Sequence, residues 1–326
     1  MQRALVIGSS GSFGRAMSQE LLARGWSVRA LRRAQGRPLT LSGLEEVSGD
    51  ALEPQDVARA AQGVQVIVHG YNSPYPAWDR TQVRAAQAVA RAAVQQRACL
   101  LVPGNVYGLG PHFDAPLRED CERLPVTRKG KIRNQVEEVL EQAALEGAQL
   151  INVRCGDYFG PDAPNTWLHF ITQRALRGGA LVDPGTIRGV PHEWAYLPDV
   201  ARAAAELLER RFELSSNETF HFSSHHLSSA ELMQGLLQQL GPRRVWRMPW
   251  RVLRWLSPLA PMLRELVEMK YLWDQPVLLD DGKLQRFLGS VQRTPLEGAL
   301  RAALGLAAPE RAEALQAPRL QRAAAS

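Results

Sequence analysis

Residues 1–14, Met1-Gln2-Arg3-Ala4-Leu5-Val6-Ile7-Gly8-Ser9-Ser10-Gly11-Ser12-Phe13-Gly14, decide the fold. The apolar run 4–8 reads as a strand and flows into glycines at GxxGxxG spacing, which open an amphipathic stretch over 13–24. Gly8 permits a tight turn, Gly11 lets the backbone approach a pyrophosphate at the helix N-terminus, and Gly14 lets the helix lie close on the strand. The spacing is not GxGxxG, and a plain strand–helix turn is the alternative. Strand, glycines in register and helix together indicate a dinucleotide-binding loop, with Gly8, Ser10, Gly11, Ser12, Phe13 and Gly14 around the phosphates.

Working outward, apolar runs at 27–31, 44–48, 64–69, 99–102 and 149–154 read as strands. Helical patterns lie between several of them, at 54–61, 79–96 and 128–146. Alternation of this kind predicts an α/β, Rossmann-type doubly wound parallel sheet, its strands buried on both faces. Beyond Gly160 the rhythm loosens: helices are predicted at 165–177, 198–210, 228–240 and 252–269, with a strand at 219–223. We read residues 1–158 as a nucleotide-binding domain to which 187–222 returns. Residues 159–186 and 223–306 form a smaller, mainly helical C-terminal substrate lobe, and 307–326 a mobile tail.

The end of the second strand selects the cofactor. It reads Val28-Arg29-Ala30-Leu31-Arg32-Arg33 and carries no acid for ribose hydroxyls. Arg32 and Arg33 suit an adenosine 2′-phosphate, so NADP is expected over NAD; solvated arginines are the alternative. Asp50, after the third strand, falls near the adenine. Gly70, Tyr71 and Asn72, after the fourth, fall on the cofactor loop. Tyr75 and Trp78 follow in a Pro-held segment suited to lining a cleft.

Composition bounds the alternatives. The chain has 326 residues, 45% hydrophobic and 22% charged, which excludes a chain disordered throughout. Cys99, Cys121 and Cys155 have no metal or disulfide spacing and suit a reducing cytoplasm. His225-His226 has no carboxylate or thiol at ligand spacing, so no metal is expected. The N-terminal apolar run is too short for a signal peptide, and no stretch suits a membrane span. Residues 252–273 are apolar-rich but interrupted by Arg254, Pro258, Pro261, Arg264, Glu265, Glu268 and Lys270. They suit helices on a core or cavity rather than a membrane surface, and no membrane partner is expected. Lys+Arg exceed Asp+Glu, 39 against 33. No helix-turn-helix, RRM or zinc signature accompanies that excess, so nucleic acid is not an expected partner.

In this order, the GxxGxxG loop, Val66-Ile67-Val68-His69, Asn105-Val106-Tyr107-Gly108, Val153-Arg154-Cys155-Gly156-Asp157-Tyr158-Phe159-Gly160-Pro161 and Tyr196-Leu197-Pro198-Asp199-Val200-Ala201 resemble the extended short-chain dehydrogenase/reductase family, the NAD-dependent epimerase/dehydratase group, over about residues 1–300. The resemblance implies a Rossmann domain, a substrate lobe and a cleft between them. It also implies a Ser or Thr, a Tyr, and a Lys four residues after that Tyr. In the best register Lys129 stands at the Tyr position, Arg133 at the Lys position and Pro103 at the Ser position, with Asn105 two residues on. Asp157 stands where the family often has an Asn that holds a nucleotide-sugar pyrophosphate, which an anion would repel. His192 falls near a substrate-contacting Arg. This is therefore an atypical member.

Lys129 and Arg133 share a helix face at i and i+4. Arg133 suits the nicotinamide ribose, and a lysine tuned by its neighbour and by desolvation suits a general acid, with Asn105 and Tyr107 polarising a substrate oxygen. The alternative is that Arg128, Lys129, Lys131 and Arg133 are simply a solvated or phosphate-holding run. Asp157, Tyr158 and His192 complete the expected substrate contacts, and Asp199 is read as a helix N-cap or first-turn acid. The expected function is an NADP(H)-dependent oxidoreductase or epimerase-like enzyme acting on a small carbonyl or hydroxyl compound. A non-catalytic NAD(P)-binding redox sensor is the alternative. The resemblance also allows a homodimer through a four-helix interface made by 79–96 and 128–146. Of the basic clusters, the one at Arg243, Arg244, Arg247, Arg251 and Arg254 finds no role in this reading.

Overall fold

The computed structural model describes residues 2–35, 41–111, 116–186 and 189–307. Residues 308–326 of the predicted tail lie outside the described residues. The first part of the chain runs β1 (Arg3–Ile7), α1 (Ser12–Ala23), β2 (Ser27–Arg32), β3 (Leu44–Ser48), α2 (Pro54–Ala60), β4 (Val66–His69), α3 (Trp78–Gln96), β5 (Cys99–Asn105), α4 (Arg128–Leu145) and β6 (Gln149–Cys155). The second runs β7 (Asp157–Phe159), α5 (Trp167–Thr172), β8 (Leu181–Asp183), β9 (Pro191–Tyr196), α6 (Leu197–Glu209), β10 (Asn217–Phe222), β11 (His225–Ser228), α7 (Ser229–Leu240), β12 (Val245–Arg247), α8 (Trp250–Leu256), α9 (Pro261–Glu268) and α10 (Tyr271–Asp274).

Seven parallel strands form the central sheet in the order β10-β6-β5-β4-β1-β2-β3, a Rossmann-like α/β fold. Along β1, Ala4 and Val6 join a core with Met17 of α1 and Ala204 of α6; Leu5 and Ile7 join one with Val57 of α2, Val89 of α3 and Leu140 of α4. All four strand residues are fully buried, which is why the strand reads as an unbroken apolar run. The Thr127 hydroxyl starts α4 by accepting from the Gly130 amide at 3.0 Å. Gly130 in turn lets α4 press on the Tyr107 carbonyl, where a β-carbon would collide.

The C-terminal lobe is mainly helical, with short strands besides. It contains a three-stranded sheet, β11-β9-β7, and a two-stranded pair, β12-β8. The helix predicted over 252–269 is two, α8 and α9, separated by a 3₁₀ turn at Ser257–Leu259. Pro258 and Pro261 cannot donate to a continuing helix. The helix predicted at 165–177 is shortened to α5 and a 3₁₀ turn at Ala175–Arg177. Asp199 lies in the first turn of α6 rather than at its cap, and its carboxylate accepts from the Thr294 amide at 2.6 Å and hydroxyl at 2.9 Å, tying the lobe to that helix.

Two histidines are buried in the sheet region. His221 Nδ1 donates to the Leu117 carbonyl at 2.8 Å, and burial pushes its pKa down to about 4. Burial takes His69 down to about 3. Because both folded values lie below the unfolded one, the unfolded chain binds these protons first. Stability should therefore fall as pH drops below roughly 6.5, by roughly 1.4 kcal/mol per pH unit for each histidine. Urea unfolding at pH 7 and pH 5 checks this. His221→Gln should flatten the dependence; an equally steep dependence in that variant would count against the assignment.

Candidate active site

The glycine loop shapes the first half of the site. Gly8 has φ +81°, and a β-carbon there would collide with the Gly70 carbonyl. A β-carbon at Gly14 would collide with the Gly8 carbonyl, so Gly14 serves the packing of α1 against the loop and does not line the cleft. Gly11 caps α1 with extended backbone and no side-chain cap, leaving the first-turn amides to whatever enters the cleft. The cleft, about 340 Å³, is lined by Gly8, Ser10, Gly11, Ser12 and Phe13, and further along by Gly70, Tyr71 and Asn72. Arg32, Arg33 and Asp50 line it as well. Arg32 is turned to Glu46, Nε to Oε2 at 2.7 Å, whereas Arg33 is exposed at the cleft. The Asp50 carboxylate accepts from the Leu52 amide at 3.0 Å, shaping the turn before α2.

A second cavity, about 260 Å³, adjoins this cleft and shares Asn72, Asn105, Arg133, Tyr158, Asn165 and Thr166 with it. Tyr75, Trp78, Tyr107 and Asp157 complete its polar and aromatic wall. Arg133 stands at the junction. Its guanidinium lies 4.6 Å over the Trp78 ring, and its buried Nε has no hydrogen-bond partner among the described residues. A buried orphan donor between a glycine-loop cleft and a cavity fits the ribose hydroxyls of a dinucleotide. Asn105 Oδ1 accepts from the Tyr107 amide at 3.0 Å and so holds the turn after β5. The Tyr75 and Tyr107 hydroxyls lie 3.3 Å apart. Burial raises both pKa values, that of Tyr107 strongly, and also raises that of Tyr158. These phenols stay protonated and can donate hydrogen bonds; they are not bases near neutral pH.

Asp157 and His192, separate in sequence, form one unit. His192 Nε2 lies 2.6 Å from Asp157 Oδ2, and its Nδ1 lies 3.1 Å from the Leu272 carbonyl. A carbonyl only accepts, so these partners assign a proton to Nδ1. The short Nε2–Oδ2 contact joins the ring to the carboxyl group of Asp157. His192 is stacked on Trp273, with ring centroids 4.4 Å apart, and reaches the cavity only through Asp157.

Lys129 departs from the expected role. Its side chain is fully buried, does not line the cavity, and is held by Glu265 and Glu268 of α9. Its ammonium also lies 5.0 Å over the Tyr75 ring. Nor are its neighbours a uniform solvated run: Arg128 pairs with Glu265, Lys131 is exposed and Arg133 is turned inward. Sequence reasoning missed Glu265, Glu268, Asn165 and Thr166. The i,i+3 spacing of the two glutamates was the only available signal for the first pair. Among the described residues no group of His, Cys, Asp or Glu could hold a metal ion, and no helix is long and apolar enough to cross a membrane.

Residues 8–146 match the protein family described as NAD(P)H-binding. The 2-alkyl-3-oxoalkanoate reductase of Shewanella oneidensis is 33% identical over 69 residues, 21% of this chain and 18% of that protein. That of Stenotrophomonas maltophilia is 34% identical over 67 residues, 21% of this chain and 20% of that protein. The match thus spans about a fifth of either curated relative. Solved structures that resemble the whole chain include MoeE5 in complex with UDP-glucose and NAD (TM-score 0.77, 20% identity, 93% of this chain and 97% of that one). UDP-glucose 4-epimerase from Brucella ovis in complex with NAD gives 0.76 at 17% identity, covering 94% and 98%. DesIV, a dTDP-glucose 4,6-dehydratase from Streptomyces venezuelae with NAD and TYD bound, gives 0.75 at 20%, covering 93% and 96%. At these identities the likeness is one of fold.

Proposed function

We propose that the protein, whose residues 8–146 match the NAD(P)H-binding family and whose fold resembles that of NAD-dependent epimerases and dehydratases, is an NADP(H)-dependent oxidoreductase acting on a small carbonyl or hydroxyl compound. The supporting observation is the adjacency of three parts: a glycine-loop cleft, an inward-facing Arg133, and a cavity lined by Asp157, which His192 backs. The nicotinamide supplies or accepts a hydride when bound. Arg133 would hold its ribose. The protonated Tyr107 and Tyr75 hydroxyls would donate to the substrate oxygen. Asp157, backed by His192, would deliver the proton in reduction and take it up in oxidation. Lys129, closed off from the cavity, is not in this set. NADPH consumption against a panel of aldehydes, ketones and enones tests the reading. Tight NADPH binding with no turnover across the panel would favour the redox-sensor alternative.

For the cofactor, exposed Arg33 supports NADP more directly than Arg32, which is already paired with Glu46. Arg33→Ser should weaken NADPH binding by roughly tenfold or more and leave NADH binding unchanged, as expected for a charge-assisted phosphate contact. Tighter binding of NADH than NADPH by the parent chain would overturn the preference. The outer face of α3 and α4, with Val83, Ala90, Val139 and Ala143 around a shallow groove, is the surface this reading assigns to a homodimer.

A further inference from the structure

The basic cluster left without a role lies on an exposed apolar surface. From Gly241 to Arg264 the chain has six arginines and no acid: Arg243, Arg244, Arg247, Arg251, Arg254 and Arg264. All six are exposed. None forms an ion pair among the described residues, whereas twelve other arginines there do. The same segment exposes large apolar side chains: Trp255 is 78% and Leu259 81% accessible, and Trp246, Val252 and Met262 are each more than half exposed. On α8 the pairs Arg251-Val252 and Arg254-Trp255 both face outward, while Trp250 is buried. On α8 cations and apolar groups therefore share one surface.

Surface arginines interspersed with protruding tryptophan and leucine match what an anionic lipid surface rewards: charge for the headgroups, apolar groups for the acyl boundary. A second copy of the same face would set six unpaired arginines against six. A nucleic acid would use the arginines and the tryptophan rings but gives Leu259, Met262 and Val252 nothing to contact. We propose that β12, the α8–α9 segment and the turn between them form an interfacial docking surface for anionic phospholipid, lying on the membrane without crossing it. This revises the expectation that the protein has no membrane partner, and it is independent of the oxidoreductase reading.

The test is co-sedimentation of the full chain with vesicles of phosphatidylcholine alone and with about one-third phosphatidylglycerol. Binding should be at least about tenfold tighter on the anionic vesicles and should weaken steeply with added salt. Arg251→Glu with Arg254→Glu, and separately Trp255→Ser with Leu259→Ser, should each weaken it by at least about tenfold. These positions are exposed, so unchanged thermal melting is expected and confirms that the variants fold. No binding to anionic vesicles overturns the proposal. So does anionic binding that Trp255→Ser with Leu259→Ser leaves intact, which would indicate charge attraction alone. Tighter retention by single-stranded RNA than by vesicles, or loss of a dimer in the apolar variant, also overturns it in favour of those partners.

Discussion

Asp157→Asn is expected to lower turnover on the best substrate of the carbonyl panel by roughly 10²–10⁴-fold, the range for removing a positioned general acid. Dinucleotide affinity should be unchanged, because Asp157 lines the second cavity and not the glycine-loop cleft. The amide retains the carboxylate's shape and can donate to His192 Nε2, so the Leu272 and Trp273 contacts of the imidazole survive. What is lost is the carboxyl group that would exchange a proton with the substrate. Stopped-flow turnover together with an NADPH titration measures both quantities. Turnover within about threefold of the parent would remove Asp157 as the acid, since general acid catalysis is worth far more. A parallel loss of NADPH affinity would instead indicate a disturbed cleft. His192→Phe supplies a second readout: stacking on Trp273 is preserved and the Nε2 contact with Asp157 is removed, so turnover should fall while NADPH affinity is kept.

The second large effect is on stability. Lys129→Met should lower it by roughly 3–5 kcal/mol, because it leaves the Glu265 and Glu268 carboxylates facing a buried apolar group. For a chain of 326 residues that corresponds to a fall in Tm of roughly 4–7 °C. Calorimetry on Lys129→Met and on the triple variant with Glu265→Gln and Glu268→Gln separates the terms. Recovery of at least part of the loss in the triple variant is expected, since removing both partners removes the stranded charge. A single variant that melts with the parent would show that the buried lysine contributes nothing to holding the lobes together.

Much of the fold was legible in the sequence because burial on both faces leaves a local mark. β1 is an unbroken apolar run over Ala4–Ile7 and β4 over Val66–Val68, and Gly8 and Gly14 of the first loop cannot be replaced without collision. The small sheets were not legible: β7, β8 and β12 are three residues each, too short for a period to show. Two partnerships were hidden for a related reason. Glu265 and Glu268 are 136 and 139 residues from Lys129, and nothing local to either segment links them. The register of the family motif located Lys129 on its helix face but not the element pressed against that face. Asp157 and His192 were each legible as cavity contacts, yet their union depends on β7 pairing with β9, where Asp157 stands opposite Trp194, two residues beyond His192.

α9 belongs to three settings at once. Met262 is on the outer surface, Leu266 is part of the cavity wall, and Glu265 and Glu268 grip Lys129 on α4 of the nucleotide-binding domain. Eight residues cannot shift in one of these settings and stay fixed in the other two. Thermodynamic reciprocity then applies: whatever alters the position of α9 from outside changes the affinity of the cavity for its ligand by some factor, and that ligand changes the outside interaction by the same factor. With the cavity filled and a partner on the outer face, the helix would act as a two-way meter, reporting occupancy of each to the other.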